Sequence, residues 1–491
     1  MKQLTLLLKI FVVVAAVSCS SSNNKPAPIS LHPDNPNYFL YKGKPTVIIT
    51  SAEHYGAVMN ADFDYAKYLA TLKNDGMNYT RIFLGPYSEI GADLFGIKKN
   101  TMNPAPGKWL TPWVKDTATG RYKLDEWNEA FFSRLKSFIA EAQKNDVIVE
   151  VTFFTSYYGN HQWSNSPFNP NNNTLITDSL SFRNVNTSDN GPLMKIQEKY
   201  VRRIVQDLNA FGNLIYEIQN EPWSDNPELV EKISDVDTLV HPFSWQKIVE
   251  IANTRSLDWQ TKIASIISEE EAQLPNKHLI AQNISNFRFK IENPDPQISI
   301  FNFHYAYPEA ASVNLNLNKA IGLDETGFMP HNDFHYRSQA WKFMLAGGAL
   351  YNNLDYSFTV GFEDGTYKID AGTPGWGGPA YRKQLLILKN FLESFSFISM
   401  KPNNEILKVS NGSISAYQVL AEEGQQYAIY LERGNAPEIE LTIPDGNYAA
   451  VWLNTLTGKE ERSEEVVSTG GKARIKYQGS FEDLVIGLKI K

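Results

Sequence analysis

Two glutamates end apolar runs of the sequence. Glu221 ends "NLIYEIQNE", and Glu325 ends "KAIGLDE". Both runs are typical of buried strands, and a carboxylate resists burial unless it is paired or takes part in proton transfer. For either glutamate alone, a polar turn at a strand end is the simpler interpretation. As a pair facing one bound molecule, two carboxylates could donate a proton and attack as a nucleophile.

The elements that must position these glutamates alternate between strand-like and helix-like segments. The candidate strands are "PTVIITS", "NYTRIFL", "VIVEVTFF", "NLIYEIQNE", "HLIAQN", "ISIFNFHY", "KAIGLDE" and "ALYNNLDYSF". The helices between and after them include "DFDYAKYLATLKNDG", "LDEWNEAFFSRLKSFIAEAQKND", "PLMKIQEKYVRRIVQDLNAFG", "HYRSQAWKFMLAGG" and "YRKQLLILKNFLESF". Eight such alternations predict an α/β fold, a (β/α)8 TIM barrel. A doubly wound open sheet is the alternative, but no glycine-rich phosphate loop follows the first strand.

In this barrel the two glutamates fall at the ends of strands four and seven, across the barrel mouth from each other. The long connections 85–124 and 155–191 both follow strands, so they lie on the face where such barrels bind substrates. Retaining glycosidases need two carboxyl groups about 5–5.5 Å apart, one to protonate the leaving oxygen and one to attack the sugar carbon. The predicted arrangement of Glu221 and Glu325 suits this chemistry.

The motifs around the glutamates resemble those of a known family. "YEIQNEP" resembles the Asn-Glu-Pro element on strand four of the clan A glycoside hydrolases, which include family 5 cellulases and mannanases. "GLDETG" is similar to the strand-seven element of the same clan, and the resemblance covers roughly residues 46–395. It implies a retaining glycoside hydrolase that cleaves β-linked O-glycosidic bonds without a cofactor. Glu221 would be the general acid/base and Glu325 the nucleophile.

The same resemblance implies several residues on the substrate side. Arg81 in "YTRIF" would lie near the nucleophile and keep it ionised, although it could instead pair with a carboxylate inside the barrel. Asn220 would bind the substrate 2-hydroxyl. "FHYAYP" implies that His304 and either Tyr305 or Tyr307 line the cleft, while a core histidine is the alternative for the first of them.

Aromatic and polar residues after other strands extend this set. Many family 5 members have a tryptophan on strand eight where this sequence has "YNNLDYSF", so Tyr356 or Trp376 is expected to replace it as a platform. Trp223, two residues after the acid/base candidate, is expected to stack on the sugar that leaves. His54 in "TSAEHYG" is a candidate for substrate recognition, or for a buried pair with Glu53.

Two further carboxylates close to the catalytic candidates are expected to be structural. Strand alternation places Glu217 on the same side as Glu221 but deeper, within a hydrogen-bond network. Asp324 is expected to point away from Glu325. Scattered histidines in "HYG", "GNHQW" and "MPHNDFH" lack HExxH spacing, so no metal is expected, and the absence of GxSxG disfavours an esterase.

The pattern changes after the predicted barrel domain, residues 29–397. Residues 398–491 contain short alternating segments such as "GSISAYQVLAE", "GQQYAIYLER" and "NYAAVWLNTLTGKE", which predict a small C-terminal antiparallel β-sandwich domain. This region has no histidine and no evident catalytic set. It is interpreted as an accessory domain, and whether it binds sugar is left open.

The first residues have the composition of a targeting signal. Residues 1–18 combine Lys2 and Lys9 with the apolar run "LTLLLKIFVVVAAV", which is short for a membrane-spanning helix. The run ends at "AVSC" with the single cysteine, Cys19, and resembles a bacterial lipoprotein signal. Lipidated Cys19 and a tether of residues 19–28 would anchor the protein at the bacterial cell envelope, with no other membrane contact. A plain secretory signal is the alternative.

Composition narrows the expected partner. A net charge of −8 without a Lys/Arg-rich block argues against nucleic acid, because phosphate binding needs clustered cations. Aromatic residues make up 12% of the chain, which favours stacking on sugar rings. The predicted partner is therefore an oligo- or polysaccharide. The competing hypothesis is a carbohydrate-binding surface lipoprotein whose barrel has no catalytic activity.

Overall fold

The computed structural model describes residues 27–91, 94–233 and 244–491. The predicted signal segment, Cys19 and most of the tether lie outside these residues. Among the described residues, none of the helices is both long and apolar enough to cross a membrane.

Eight parallel strands form the barrel. They are β1 Ile48–Ala52, β2 Tyr79–Phe83, β3 Ile148–Thr155, β4 Leu214–Asn220, β5 Leu279–Asn286, β6 Ile300–His304, β7 Ala320–Glu325 and β8 Leu350–Leu354. The hydrogen-bonded order is β1-β8-β7-β6-β5-β4-β3-β2. Side-chain hydrogen bonds close the barrel between β1 and β2. The Asn78 amide donates to the Val47 carbonyl and accepts from the Ile49 N–H, and the Thr50 hydroxyl donates to the Tyr79 carbonyl at 2.8 Å. The predicted TIM barrel is confirmed.

Helices cover the outside of the barrel. They are α1 Tyr65–Asn74, α2 Glu129–Lys144, α3 Leu193–Leu208, α4 Thr254–Glu271, α5 Pro308–Ser312, α6 Asp333–Leu345 and α7 Pro379–Glu393. Further short helices span Asn160–Asn165, Phe182–Val185 and Pro222–Asp225. In α3, Tyr200, Val201, Ile204 and Val205 are buried at helical spacing, which packs the helix on the sheet. Residues 287–299, all of them described, connect β5 to β6 without a helix.

One local prediction needs correction. The helix expected from residue 124 begins only at Glu129, because Tyr122–Trp127 forms a strand that pairs with Trp113–Lys115. Tyr122 and Leu124 are buried and alternate with more exposed neighbours, which is the period of a strand rather than of a helix. Unpredicted strands also occur before β1, at Ser30–Leu31, Phe39–Tyr41 and Lys44–Thr46, and beside β5, at Pro227–Lys232 and Ile248–Ala252.

The C-terminal domain is a seven-stranded antiparallel sheet. Its strands are β9 Lys401–Pro402, β10 Leu407–Glu422, β11 Gln426–Thr442, β12 Gly446–Asn454, β13 Glu460–Ser468, β14 Lys472–Lys476 and β15 Ser480–Ile490. The long strand β11 pairs with β15 along its first half and with β14 at its end. The sheet thereby folds over one core, to which Ile439, Trp452 and Ile486 belong. The predicted antiparallel domain is confirmed in this form.

Candidate active site

The two predicted glutamates meet at the carboxyl end of the barrel. Glu221 directly follows β4 and Glu325 is the last residue of β7, and each is 8% exposed. A carboxylate oxygen of one lies within 4.8 Å of a carboxylate oxygen of the other. The Tyr305 hydroxyl contacts both, at 2.7 Å from Oε1 of Glu325 and 3.2 Å from Oε1 of Glu221. Both carboxylates can therefore reach one bound molecule.

The backbone on this face is strained. Glu221 has φ 45° and ψ 56°, a left-handed conformation that residues with a side chain rarely adopt. Residues with positive φ follow six of the barrel strands, namely Tyr55, Tyr158, Glu221, Phe287, Tyr305 and Phe328. Such conformations cost about 1–3 kcal/mol each and persist where the surrounding structure enforces them, often at functional sites. The strain is concentrated on the face that holds the two glutamates.

Glu221 is held by hydrogen bonds on both of its oxygens. Oε1 lies 2.8 Å from Nδ1 of His304, and Oε2 accepts from the Tyr158 hydroxyl at 2.9 Å. Its backbone is fixed as well, since its N–H donates to Asn283 and its carbonyl accepts from Ser156. Burial raises the pKa of Glu221, but the hydrogen bonds from His304 and Tyr158 outweigh burial and hold that pKa below its ordinary value.

Glu325 has a different electrostatic environment. Its Oε2 accepts from the Tyr55 hydroxyl at 2.9 Å, and Nη1 of Arg81 lies 3.6 Å away. Burial raises the pKa of Glu325 above its ordinary value. The charges of His304 and Arg81 oppose this shift, and the charge of Glu221 reinforces it. In the ligand-free protein a proton therefore resides more readily on Glu325 than on Glu221.

Arg81 makes its closest contacts in the barrel interior and also lies near Glu325. Its guanidinium, fully buried, donates from Nε to Glu217 at 2.8 Å and from Nη2 to Asn220 at 2.8 Å. Asp324 lies 3.4 Å from its Nε. Arg81 lies near Glu325, as predicted, and its charge lowers the pKa of Glu325, but burial outweighs this effect in the ligand-free protein. The alternative, pairing with an interior carboxylate, describes the observed contacts.

Strand alternation predicted that Asp324 points away from Glu325, and this prediction is wrong. Its carboxylate lies inside the barrel, with Oδ1 3.4 Å from Nε2 of His304. The reason is a bulge in β7: Phe303 pairs with Leu323 and His304 pairs with Glu325, so Asp324 is an extra residue in the ladder. Two consecutive side chains can therefore face the same interior.

A narrow cavity opens above the glutamates. Its walls are formed by His54, Tyr55, Phe83, Tyr87, Glu89, Phe95, Tyr158, Asn220, Glu221, Tyr305, Glu325, Thr326, Phe328, Leu354, Tyr356 and Pro374. Its volume of about 50 Å³ holds only a few water molecules. This enclosed space is smaller than a sugar ring. A cavity of about 790 Å³ outside the barrel, beside residues 287–299, shares none of these walls.

Several predicted site residues do line the cavity. They are His54, Asn220, Tyr305 and Tyr356. Burial lowers the pKa of His54, but the Glu89 carboxylate, 3.2 Å from Nε2, outweighs burial and raises that pKa.

The positions of Tyr305 and Tyr307 decide which of these two tyrosines lines the cavity. Tyr305 faces the glutamates, while Tyr307 is half-buried and stacks on Phe287 outside the cavity.

Other predicted residues lie outside the cavity. His304 is fully buried beneath it and contacts Glu221, so it does not line the cleft. Trp223 is 3% exposed and packs edge-on against His304, with ring centroids 5.4 Å apart. Trp223 therefore does not line the cavity of the ligand-free protein, and its stacking on the leaving sugar stays a prediction. Trp376 lies outside the cavity wall.

Sequence reasoning missed three important contacts. Tyr158, which bonds Glu221, and Glu89, which bonds His54, were not singled out, and the motif around His54 did not indicate that Tyr55 bonds Glu325. The long connections 85–124 and 155–191, predicted as cleft walls, supply Glu89 and Tyr158. Their sequence indicated a wall but carried no local pattern that distinguishes the inward residues.

Comparisons with known proteins agree with this fold. No protein-family model and no curated protein matches the sequence. Among solved structures, a glycoside hydrolase is similar, with 13% identity over 95% of this chain and 97% of that chain and a TM-score of 0.62. A glycoside hydrolase family 5 structure from Bacteroides vulgatus ATCC 8482 has 12% identity, coverage of 94% and 93%, and a TM-score of 0.61. The chain thus shares the TIM-barrel fold of glycoside hydrolases, as the motifs predicted.

Proposed function

We propose that this protein is a retaining glycoside hydrolase that cleaves β-linked bonds of an oligo- or polysaccharide. The observation that supports this most is the pair of glutamates from β4 and β7, with oxygens within 4.8 Å and Tyr305 between them. Retaining enzymes hold their carboxyl groups about 5–5.5 Å apart, whereas inverting enzymes leave about 6.5–9.5 Å for a water molecule. The short separation therefore favours double displacement.

In the first step the carboxylate of Glu325 attacks the anomeric carbon and forms an ester bond to it. The bond from that carbon to the glycosidic oxygen breaks, and Glu221 gives its proton to this oxygen. In the second step Glu221 takes a proton from water, the water oxygen bonds to the anomeric carbon, and the ester bond to Glu325 breaks. Tyr55 and Tyr305 hold the Glu325 carboxylate in line by one hydrogen bond each.

The proton must move between the two glutamates before the first step. In the ligand-free protein the pKa of Glu325 is raised and that of Glu221 is lowered, so the coupled pair carries its shared proton nearer Glu325. The hydroxyl of Tyr305 can accept this proton while donating its own to Glu221. The anomeric carbon of a bound sugar already carries partial positive charge, which favours ionised Glu325 and therefore this transfer before any bond breaks.

The test uses covalent trapping on a panel of activated 2-fluoro glycosides. The second step is slowed by the fluorine, so we expect one of these reagents to increase the mass of the protein by one sugar unit. Peptide mapping is expected to locate the sugar on Glu325. Labelling of another residue, or hydrolysis of natural glycans with inversion at the anomeric carbon, would overturn the mechanism. Binding of glycans without any hydrolysis or labelling would instead support the non-catalytic alternative.

We also propose that Cys19 carries a lipid that anchors the enzyme at the bacterial cell envelope. The apolar run before Cys19 and the polar residues after it support this. Metabolic labelling with a fatty acid is expected to mark the wild type and not Cys19→Ala. Labelling of both proteins, or release of the wild type from membranes by salt alone, would contradict the proposal.

A further inference from the structure

A separate cavity, open to solvent, lies between the barrel and the C-terminal domain. Its volume is about 570 Å³, in the usual range for ligand sites. The barrel contributes His331, Phe334 and Trp376 to its walls, and the C-terminal domain contributes Arg433, Leu456 and Glu482. We propose that this cavity is a subsite for a neutral sugar unit of the same glycan, shared by the two domains. The inference rests on the proposed glycosidase function.

Trp376 is the platform of the proposed subsite. It is half-buried, and its Nε1 donates to Oδ1 of Asp333 at 2.7 Å. Its ring packs beside that of His331, with centroids 5.4 Å apart. An indole that is partly exposed and fixed in orientation can pack on the apolar face of a pyranose at little entropic cost.

The C-terminal domain holds this platform in place through buried hydrogen bonds. Oδ2 of Asp333 accepts from Gln384 at 2.6 Å, and the Gln384 carbonyl oxygen accepts from Nη1 of Arg337 at 2.6 Å. Arg337 in turn makes two 2.8 Å bonds to Asp483 of β15. An unbroken chain of contacts therefore runs from β15 to the Trp376 ring.

The wall opposite the barrel supplies both donors and acceptors. The exposed guanidinium of Arg433 lies over the Phe334 ring at 4.4 Å, and the exposed Glu482 carboxylate is close to Arg337 at 3.1 Å. A planar cation and a carboxylate can together bind the hydroxyl groups of one sugar. Because their charges are opposite, a neutral sugar suits this wall better than a charged one.

The subsite adjoins the catalytic cavity through one short loop. Pro374 lines the catalytic cavity, and Trp376 lines the cavity between the domains. These two residues are two positions apart in the chain, so their Cα atoms are at most about 7 Å from each other. Gly375 packs the loop against the catalytic wall, since a Cβ there would lie 2.2 Å from the Tyr356 ring. His331 fixes the same loop by a 2.6 Å contact with the Thr373 carbonyl. A glycan cleaved at the glutamates would need to cross only this short loop to reach Trp376.

The experiment measures how chain length affects hydrolysis. The probes are β-1,4-linked gluco-, manno- and xylo-oligosaccharides from disaccharide to hexasaccharide, and the corresponding aryl glycosides. We expect Trp376→Ala and Arg433→Ala to raise KM about 3- to 10-fold for the longest cleaved oligosaccharide, with kcat unchanged. KM for the aryl glycoside should not change. Arg474→Ala, an exposed arginine elsewhere in the same domain, is the matched control.

The outcomes separate the subsite from the catalytic proposal. If KM changes equally for short and long substrates, or not at all, the subsite is wrong while hydrolysis still supports the glycosidase. If no probe is cleaved, binding of the hexasaccharides is measured by calorimetry instead, and covalent trapping with the 2-fluoro glycosides decides the glycosidase function separately. Equal affinity of wild type and Trp376→Ala for every hexasaccharide would overturn the subsite as well. Thermal unfolding verifies that each variant is folded.

Discussion

The barrel contains two clusters of acidic residues with different roles. The mouth cluster is Glu221 and Glu325 with His304, and the inner cluster is Glu150, Glu217 and Asp324. In each cluster the facing atoms lie within 4.8 Å of one another, and the types of residue are almost the same. Only the mouth cluster has carboxylates that line a cavity, since all three inner residues are fully buried. Carboxylate spacing alone thus does not define an active site; access to a substrate does.

The inner cluster supports the mouth cluster. Asn283 donates to Glu217 and accepts from the backbone N–H of Glu221, so one side chain joins the two. Burial opposes ionisation of Asp324, but the charges of Arg81 and then His304 outweigh it and hold its pKa below the ordinary value. The inner cluster therefore acts by positioning, through partners that also reach the mouth.

The largest expected effect is on the mouth cluster. Glu325→Ala should lower kcat by about 10⁴- to 10⁶-fold, because the reaction loses its nucleophile. Its unfolding midpoint should change little, since the substitution also removes the burial penalty of the carboxylate. Initial rates on the best glycan substrate and thermal unfolding measure the two effects. Unchanged hydrolysis would mean that the mouth cluster is not catalytic.

A second test of the mouth cluster depends on the leaving group. Glu221→Ala should lower kcat about 10²- to 10⁴-fold on a natural glycan, whose leaving oxygen needs a proton. With a dinitrophenyl glycoside the first step should be nearly unaffected, because this leaving group departs without protonation. Burst kinetics with both substrates measure the difference. Equal losses on both substrates would remove Glu221 from the acid/base role.

The sequence predicted the parts of this site that follow from the alternation of strands and helices. Each of the eight barrel strands overlaps its predicted segment, and Glu221 and Glu325 lie at the strand ends where the motifs indicated. Strand alternation failed at Asp324, because a one-residue bulge reverses the side to which later residues point.

Turns and loops limited the prediction elsewhere. Trp223 follows a left-handed residue, and no residue type in "NEPW" indicates that such a turn buries the indole. Tyr158 and Glu89 lie in long irregular connections and reach the site through contacts that are distant in sequence. Such contacts are decided by tertiary packing, which local patterns do not encode.

The inner cluster is expected to affect stability more than chemistry. Glu217→Ala should lower the free energy of unfolding by about 3–5 kcal/mol, because Arg81 loses its closest buried partner. Glu217→Gln keeps an oxygen acceptor for Arg81 and should cost less. Urea unfolding of both variants, with kcat measured on the folded protein, checks the ranking. A loss of kcat comparable to that of Glu325→Ala, in a stable variant, would place Glu217 in the mouth cluster instead.

The smallest expected effect concerns the proton held by the inner cluster. Burial, followed by the charges of Glu217 and Asp324, raises the pKa of Glu150 well above its ordinary value. The folded protein therefore keeps a proton that the unfolded chain releases, so stability falls as pH rises from the ordinary glutamate pKa toward the raised one, by at most about 1.4 kcal/mol per pH unit. Glu150→Gln mimics the protonated side chain and should flatten this decline in urea unfolding across a pH series.

Part of the dependence of stability on pH should remain in Glu150→Gln, because burial also raises the pKa of Glu53 to about 7. The surface control Glu460→Gln should leave the dependence unchanged. A steeper decline of stability with pH in Glu150→Gln would mean that Glu150 is ionised in the folded protein. The inner cluster would then hold three carboxylate charges rather than a proton, which would contradict the prediction.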